Sequence, residues 1–187
     1  MSLVNKVHCL IKDHLQLTDI AIDATVGNGY DTLFLAQRVG KSGHVFGFDI
    51  QANALEITRK KLLSANLTAC LTLIEANHAL MTEKIPVQYQ QKIKAIMFNL
   101  GYLPGGDKTL ITRTDSTLLA LAQACRLVSK QGVITVVTYP GHAGGETESQ
   151  AVAQWCGQLD KRQFSVITIS AEAQKASAPL AYAIAKY

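Results

Sequence analysis

IAIDATVGNGYDT, residues 20–32, predicts a buried strand, a glycine-rich turn and the first turn of a helix, in that order. Gly27 and Gly29 let the backbone turn sharply and approach a ligand without a Cβ in the way. The third glycine of a dinucleotide-binding GxGxxG motif would fall at position 32, where this chain has Thr. Because Asp31 puts a negative charge in the first helical turn, the loop favours a cationic or zwitterionic ligand over a diphosphate. A tight turn without a ligand is the alternative interpretation of the two glycines.

Strands and helices alternate on both sides of this stretch. Apolar residues at helical spacing predict an amphipathic N-terminal helix within residues 1–17 and further helices over 31–39, 51–65, 115–129 and 146–158. Apolar runs predict further strands over 44–48, 70–75, 93–98, 132–138, 164–169 and 180–185. This order predicts an α/β fold with a mostly parallel seven-stranded sheet, helices on both faces and right-handed crossovers. The short connection before the last strand predicts an antiparallel hairpin at the sheet edge, and the absence of a long linker predicts a single domain over 1–187.

The composition fits one globular domain. Of the 187 residues, 48% are hydrophobic and 17% are charged, which excludes a disordered chain, and no run approaches the roughly 20 apolar residues of a membrane span. The N-terminal stretch carries Lys6, Lys12 and Asp13 where a signal peptide has an unbroken apolar core, so we expect a soluble cytoplasmic protein. The four cysteines are far apart and have no zinc-like spacing, so no metal site is expected. The formal net charge of +4 is a mild indication of an anionic partner.

Polar residues follow the second and third predicted strands, where ligands bind in sheets of this kind. Asp49 lies 20 residues after Gly29, and a carboxylate there accepts hydrogen bonds from the two ribose hydroxyls of a nucleoside. The alternative for Asp49 is a cap on the helix that begins near Gln51. Asn77 and His78 follow the third strand, where an adenine ring would lie, although an ordinary polar loop is an equally good interpretation. With the glycine loop, these residues indicate a nucleoside cofactor without a pyrophosphate, and S-adenosylmethionine is the natural candidate.

The loop after the fourth strand, Asn99 to Lys108, is similar to the Asn/Asp-Pro-Pro-Tyr/Phe loop of amino-group methyltransferases. Methylating an amine requires its lone pair, rather than its N–H bonds, to point at the methyl group. Asn99 Oδ1 and the Leu100 carbonyl could accept the N–H hydrogens, and Tyr102 could stack on a base. A glycine-rich spacer is the alternative interpretation of this loop.

The loop after the fifth strand, Thr138 to Glu148, is expected to share a cleft with the others. Eight of the 13 glycines lie in the loops after strands one, four and five, at positions 27, 29, 101, 105, 106, 141, 144 and 145. His142 could act as a general base or contact the substrate, and an exposed turn histidine is the alternative. Lys108 and Arg113 would flank the same rim and could hold phosphates of a polynucleotide.

Four motifs together resemble a known family: AIDATVGNGYDTLFLA (21–36), FGFDIQ (46–51), FNLGYLPGGDK (98–108) and YPGHAGGETE (139–148). They look like the motifs of the small bacterial methyltransferases of the YtqB/MnmM type, first described as rRNA methylases. The match runs from about residue 4 to the C-terminus. The resemblance implies a Rossmann-like class I S-adenosylmethionine-dependent methyltransferase fold whose seven-stranded, mostly parallel sheet has an antiparallel last strand.

The resemblance also implies roles for individual residues. Together with the loop positions above, it predicts cofactor contacts at Asp23, Thr25, Gly27, Asn28, Gly29, Asp31, Thr32, Asp49, Gln51, Asn77 and His78. The predicted catalytic residues are Asn99, Leu100, Tyr102 and His142. Contacts to a modified uridine and its RNA backbone are predicted at Gly101, Pro104, Lys108, Arg113 and Tyr139.

The family is associated with methylation of the 5-aminomethyl group of 5-aminomethyl-2-thiouridine at the tRNA wobble position. The resemblance therefore implies a tRNA anticodon stem-loop, or another RNA, as the partner. Such an amine is protonated near pH 7, so a site must remove a proton by desolvation or with a base such as His142. Three alternatives stay open: an amino-group methyltransferase acting on adenine or cytosine of RNA, a non-catalytic module that binds S-adenosylmethionine and RNA, and, more weakly, a nicotinamide dehydrogenase. We expect RNA recognition to come from the rim loops, the N-terminal helix or the second subunit of a homodimer.

Overall fold

The computed structural model describes residues 1–101, 111–170 and 178–187. In these ranges seven strands form one sheet, in the order β3-β2-β1-β4-β5-β7-β6. The strands are β1 (Ile20–Asp23), β2 (His44–Asp49), β3 (Leu71–Glu75), β4 (Ile93–Asn99), β5 (Val128–Thr138), β6 (Phe164–Ser170) and β7 (Leu180–Lys186). The pairs from β3 to β5 are parallel, and β7 runs antiparallel to both β5 and β6. The predicted mostly parallel sheet with an antiparallel hairpin at its edge is therefore confirmed.

Helices cover both faces of the sheet. Across the described part of the chain they are α1 (Leu3–His14), α2 (Tyr30–Val39), α3 (Ala52–Ser64), α4 (Met81–Lys84), α5 (Thr114–Leu127) and α6 (Gly145–Gly157). Buried side chains of α1, α2 and α3 form one apolar cluster with Ala21 and Val45, whereas those of α4, α5 and α6 form another with Ile22 and Phe46. Successive residues of a strand point to opposite faces, so β1 and β2 contribute to both clusters.

The fifth strand begins earlier than its apolar run predicts. The prediction starts at Gly132, but β5 starts at Val128, directly after α5. Val128 pairs with Ile93 of β4, and the register shifts before the next pair. The polar residues between them lie in this irregular part, where Gln131 has a φ of +59°. An irregular, partly exposed strand start shows no apolar alternation, which explains the shorter prediction.

The strand order fixes where a ligand can bind. The chain continues from β1 to β2 on one side and from β4 to β5 on the other, so the loops after these strands diverge. Such a switch point leaves a crevice at the carboxyl ends of the strands. α1 packs on β4, β5, β6 and β7 and brings its first turn to the same edge. Among the helices in the described ranges, none has the length and apolar character needed to span a bilayer.

Candidate functional site

A cavity of about 900 Å³ lies at the carboxyl ends of the central strands. Loops after β1, β2, β3, β4 and β5 line it, and α1 contributes Val4. This volume is in the usual range for cofactor and small-ligand sites. The predicted site residues that line it are Thr25, Gly27, Asn28, Asp31, Asp49, Gln51, Asn77, His78, Asn99, Leu100, Gly101, Tyr139 and His142.

Asp49 joins the glycine loop to the start of α3. Its Oδ2 accepts a hydrogen bond from the Gly27 N–H at 2.8 Å, and its Oδ1 accepts one from the Gln51 N–H at 2.9 Å. The second bond agrees with the alternative interpretation of Asp49, in which its carboxylate stabilises the start of α3. A carboxylate has about four lone-pair sites, so its two oxygens can still accept hydrogen bonds from ligand hydroxyls.

Gly29 makes room for a neighbouring helix rather than for a ligand. It precedes α2 with a φ of +72°, a conformation that L side chains rarely adopt. A Cβ at this position would lie 2.3 Å from Thr58 Oγ1 on α3. Gly29 does not line the cavity, in contrast to Gly27. Only one of the two predicted glycines therefore borders the space where a ligand would lie, among the residues that the structure describes.

Asp23 lies behind the cavity wall and has no exposed surface. It accepts hydrogen bonds from the Thr32 hydroxyl at 2.6 Å and from the Thr25 N–H at 3.2 Å. Burial, followed by the nearby charge of Asp31, raises the pKa of Asp23 to about 7. The Asp23 and Thr32 side chains bond to each other, fix the shape of the loop and do not line the cavity, so their predicted cofactor contacts stay predictions.

His78 lines the cavity with a ring that is packed into the wall. It is 7% exposed, its Nδ1 lies 3.2 Å from the Ala24 carbonyl oxygen, and burial lowers its pKa to about 4. Because the neutral ring donates its Nδ1–H to that carbonyl, Nε2 carries a lone pair. This buried Nε2 has no hydrogen-bond partner among the described residues. Asn77 instead caps the short turn that follows it, with Oδ1 accepting from the Ala79 N–H at 2.8 Å.

Asn99 lies at the end of β4 with all its polar groups held. Its backbone N–H donates to Thr25 Oγ1 at 2.7 Å, and its Nδ2 donates to Asp31 Oδ2. Its Oδ1 accepts a bond from the Tyr139 hydroxyl at 3.3 Å. Burial, followed by the charge of Asp31, raises the pKa of Tyr139, so this hydroxyl keeps its proton. The loops after β1, β4 and β5 are therefore joined at Asn99.

His8 contacts the cavity-lining Asp31, and the sequence patterns did not single it out. It lies on α1, and its Nε2 is 2.6 Å from Asp31 Oδ1. Its ring stacks on Phe34 of α2, with 3.9 Å between ring centroids and an angle of 2° between planes. His8 is one of the polar residues of an amphipathic helix, a pattern that gives no signal for a functional contact.

Glu148 is a second residue that the sequence interpretation left without a role. It is 3% exposed and accepts hydrogen bonds from the hydroxyls of Thr112 at 2.6 Å and Thr117 at 2.7 Å. The Gly101 N–H donates to Thr112 Oγ1 at 2.8 Å. Glu148 therefore ties α6 to α5 and, through Thr112, to Gly101 at the start of the loop after β4. The sequence feature that could have pointed to Glu148 is its position as the last residue of the motif YPGHAGGETE.

The remaining predicted residues lie on the rim or outside the described ranges. His142 Nδ1 is 2.9 Å from the Ala143 carbonyl oxygen, and a Cβ on Gly101 would lie 3.3 Å from His142 Nε2. Arg113 is exposed at the start of α5 and does not line the cavity. Tyr102, Pro104 and Lys108 lie outside the described residues. Within those residues, His, Cys, Asp and Glu side chains form no group of three or more that could hold a metal ion.

The amino-acid sequence matches known proteins along most of the chain. A family model described as Putative rRNA methylase matches residues 45–185. A curated protein from Arabidopsis thaliana, tRNA (mnm(5)s(2)U34)-methyltransferase, chloroplastic, is 39% identical over 153 residues. The aligned part is 78% of this chain and 55% of the Arabidopsis protein, so the chain spans little more than half the length of that relative.

Solved structures share the whole fold. A putative rRNA-methylase from Clostridium thermocellum is 40% identical, with a TM-score of 0.94 over 100% of this chain and 98% of that one. A putative methyltransferase from Streptococcus mutans, solved in complex with SAH, is 31% identical, with a TM-score of 0.88 over 100% of this chain and 99% of that one. The similarity therefore covers all the elements that form the cavity.

Proposed function

This chain belongs to the family described as Putative rRNA methylase, and we propose that it is an S-adenosylmethionine-dependent N-methyltransferase of RNA. The acceptor we propose is 5-aminomethyl-2-thiouridine at the tRNA wobble position, which becomes 5-methylaminomethyl-2-thiouridine. The name of the Arabidopsis relative, which specifies that product nucleoside at position 34, supports this choice. The observation that carries the proposal is that one cavity holds Asp49 and His78, which suit a nucleoside, together with Asn99 and Asp31, which suit an amine.

The cavity residues fit the nucleoside part of S-adenosylmethionine. The Asp49 carboxylate is oriented by two backbone N–H groups and can accept the ribose hydroxyls. The buried Nε2 of His78 can accept a hydrogen bond from the adenine amino group, which would satisfy an otherwise costly polar atom. When bound, this cofactor supplies an electrophilic methyl group on a sulfonium sulfur. The complex of the Streptococcus mutans relative with SAH supports the same cofactor class.

Asn99 and Leu100 orient the acceptor amine. Asn99 Oδ1 accepts one bond from Tyr139 and keeps a second lone pair for an amine N–H. Leu100 is buried, and the N–H of Gly101, which shares a peptide group with the Leu100 carbonyl, donates to Thr112 Oγ1 at 2.8 Å, so that carbonyl is fixed at the cavity wall. Two acceptors in fixed positions aim the amine lone pair, which lowers the entropic cost of reaching the reactive geometry. Tyr102 would stack on the uracil ring, and His142 would contact the substrate or act as a base.

The rim of the cavity provides groups for an RNA partner. Tyr30 is 71% exposed beside the cavity, and Lys61 Nζ lies 3.3 Å from its ring centroid. An exposed ring and an ammonium suit an unpaired base and a phosphate, respectively. We propose that Arg113 and Lys108 add phosphate contacts to an anticodon stem-loop in the cytoplasm. A homodimer, in which a second subunit extends this surface, is part of the same proposal.

The decisive experiment uses the purified protein and tRNA that carries 5-aminomethyl-2-thiouridine. We expect nucleoside mass spectrometry to show a mass gain of one methyl group and formation of 5-methylaminomethyl-2-thiouridine when S-adenosylmethionine is added. A strain that lacks the gene should lose this nucleoside and regain it on complementation. An unchanged nucleoside profile in both settings would refute the assignment.

The family description favours a second candidate, an amino-group methyltransferase that acts on adenine or cytosine of rRNA. The same Asn99 loop would serve that reaction. Radiolabelled methyl transfer to total RNA, followed by separation of the tRNA and rRNA fractions, distinguishes the two candidates. Label in rRNA alone supports the second candidate, and label in tRNA supports the first.

A further inference from the structure

The Asp31 carboxylate lies in the cavity wall, and binding of a nucleoside does not account for it. It is 8% exposed and lines the cavity at the start of α2. Each of its oxygens is held by a different element, Oδ1 by His8 of α1 and Oδ2 by Asn99 of β4. A carboxylate with so little exposure is costly unless it is hydrogen-bonded. Two such partners, from elements 91 residues apart in the sequence, fix the position of the carboxylate in the cavity wall.

The ring of His8 is held in position to contact Asp31 by packing on Phe34. Its ring lies flat on Phe34, which follows Asp31 by three residues on α2 and so lies on the same helical face. The His8 side chain keeps 21% of its surface exposed. It therefore holds the nearly buried carboxylate from a partly exposed position on α1.

The proposed reaction needs such a group. A primary aliphatic amine is an ammonium ion near pH 7, and an ammonium nitrogen has no lone pair to form a bond. Asn99, which would hold the amine, is hydrogen-bonded to Asp31. We propose that Asp31 takes the proton from the acceptor ammonium and that His8 is the positioning residue that holds the Asp31 carboxylate. This inference rests on the proposed function.

The proton and electron balance closes without another reactant. Asp31 gains a proton and becomes a carboxylic acid, and the acceptor becomes a neutral amine. The nitrogen lone pair then forms a bond to the methyl carbon, while the carbon–sulfur bond breaks and its electron pair stays on sulfur. The products are a secondary ammonium and a neutral thioether, and Asp31 returns its proton to water. One proton is released per methyl group transferred.

His142 is the competing candidate for the base. Its ring packs against the glycines of the two rim loops, with Nδ1 turned to the carbonyl of Ala143. Asp31, in contrast, interacts with titratable groups from three elements: His8 of α1, Asp23 at the end of β1 and Tyr139 after β5. A test of Asp31 must therefore include His142→Gln as a parallel variant.

Asp31→Asn tests the proton transfer because it keeps the shape of the side chain. With an anticodon stem-loop that carries 5-aminomethyl-2-thiouridine, we expect kcat at pH 7 to fall about 100-fold or more. The Kd for S-adenosylhomocysteine, measured by calorimetry, should stay within about threefold, because the group acts on the acceptor and not on the cofactor. At pH 9.5 the loss should shrink to roughly tenfold or less, because a larger fraction of the amine is then free in solution.

Asp49→Asn, at the end of β2, is the matched control for Asp31→Asn. It also removes one carboxylate charge from the cavity, but we assign Asp49 to the ribose. Its Kd for S-adenosylhomocysteine should weaken about tenfold, and its loss of activity should not shrink at pH 9.5. The two variants therefore have opposite signatures.

His8 is tested with a pair of variants. His8→Phe keeps a flat ring on Phe34 but removes the hydrogen bond, whereas His8→Gln keeps a donor near Asp31. We expect His8→Phe to lower kcat about tenfold, with KM for the stem-loop unchanged and a loss that again shrinks at pH 9.5. His8→Gln should recover most of that loss. A purely structural role would lower the melting temperature and give no such rescue.

The outcomes separate this inference from the proposed function. Wild-type protein that leaves the 5-aminomethyl stem-loop unmethylated refutes the proposed function and, with it, this role of Asp31. Active wild-type protein with an Asp31→Asn variant of near-normal kcat overturns the inference alone. So does an Asp31→Asn variant whose Kd for S-adenosylhomocysteine weakens more than about tenfold, since Asp31 would then hold the cofactor. A pH-dependent loss in His142→Gln but not in Asp31→Asn would assign the base to His142.

Discussion

Asp23 has a buried carboxyl group whose pKa of about 7 makes folding sensitive to pH. In the unfolded chain the group ionises near its ordinary value of 3.8, so the folded state binds the proton more tightly between these values. The contribution of Asp23 to stability is therefore greatest below about pH 4 and is lost as the pH rises through 7. Above pH 7 a buried charge remains, and among the described residues the Thr32 hydroxyl and the Thr25 N–H donate hydrogen bonds to it.

Asp23→Asn should remove this pH dependence while keeping a side chain of the same shape. We expect the difference in unfolding free energy between the wild-type protein and the variant to shift in favour of the variant from pH 4 to pH 8. The shift should be on the order of a few kcal/mol. Urea unfolding at several pH values measures it. A difference that stays constant with pH would show that Asp23 ionises normally in the folded state.

His78 is the second residue whose surroundings make a sharp prediction. His78→Phe keeps an aromatic ring in the pocket but removes the Nε2 lone pair, so we expect affinity for S-adenosylhomocysteine to fall about tenfold. His78→Gln restores an acceptor and should recover part of that affinity. Calorimetric titration gives both constants. Equal affinities for the Phe variant and the wild-type protein would show that adenine does not use this acceptor.

Between elements, the contact of α2 with α3 depends on one glycine. A Cβ on Gly29 would lie 2.3 Å from Thr58 Oγ1, and the φ of +72° is strained for any L side chain. Gly29→Ala should therefore destabilise the protein by about 1–3 kcal/mol. Adding Thr58→Ala removes the two closest atoms and should recover part of this loss, leaving the strain of the positive φ and a contact of 2.9 Å with the Thr58 Cβ.

Thermal unfolding of the two single variants and the double variant measures that coupling. Because the residues touch, their effects should be non-additive by about 0.5–3 kcal/mol. Gly40→Ala is the control, since it also has a positive φ, of +67°, but it lies at the other end of α2. Thr58→Ala should give Gly40→Ala no rescue. Additive effects for Gly29 and Thr58 would mean that the loop can move away from α3.

The link between α6 and α5 shows how elements behind the cavity shape its rim. Glu148 accepts hydrogen bonds from two threonine hydroxyls and has little exposed surface. One of these threonines, Thr112, in turn accepts a bond from the Gly101 N–H at the start of the loop after β4. The position of Gly101 beside the cavity is therefore set by a carboxylate on a helix that the cavity does not contact directly.

At the scale of the whole molecule, the sheet was predictable from the spacing of apolar residues. This spacing differs between strands and helices, and the two spacings alternate along the chain. Parallel strands need helical crossovers, so the alternation alone limits the topology to a few arrangements. The start of β5 was missed because Ser129 to Gln131 are polar and pair irregularly. An apolar pattern reports burial, and a partly exposed strand start has none.

The location of the site was also predictable, but its internal contacts were not. Side chains after parallel strands reach the same edge of the sheet, so Asp49, His78 and Asn99 were expected to be neighbours, and they line one cavity. The contact of His8 with Asp31 depends on how α1 rotates on the sheet, which no local pattern reports. The depth of Asp23 is likewise a property of packing, because a residue at a strand end can point into either the cavity or the core.

The net charge of +4 predicts an anionic partner, and the position of the basic groups on the surface determines where that partner binds. If an anticodon stem-loop binds at the rim, the basic groups there release counterions, and the logarithm of affinity falls linearly with the logarithm of salt concentration. The double variant Lys108→Ala/Arg113→Ala should weaken RNA binding and lower the magnitude of that slope by about 1.5, from two lost phosphate contacts. Fluorescence anisotropy at several salt concentrations measures the slope.

The matched control changes the same number of charges at the opposite edge of the sheet. Lys92 and Lys161 are exposed just before β4 and β6. These two strands run in the same direction, because β4 is parallel to β5 and β7 is antiparallel to both β5 and β6. Both lysines therefore lie at the amino ends of strands, away from the cavity. The double variant Lys92→Ala/Lys161→Ala lowers the net charge equally but lies far from the cavity loops. It should leave the salt slope unchanged, because an exposed charge beyond a Debye length of about 8 Å is largely screened. Equal slopes for the two double variants would mean that the net charge, rather than the rim, attracts the RNA.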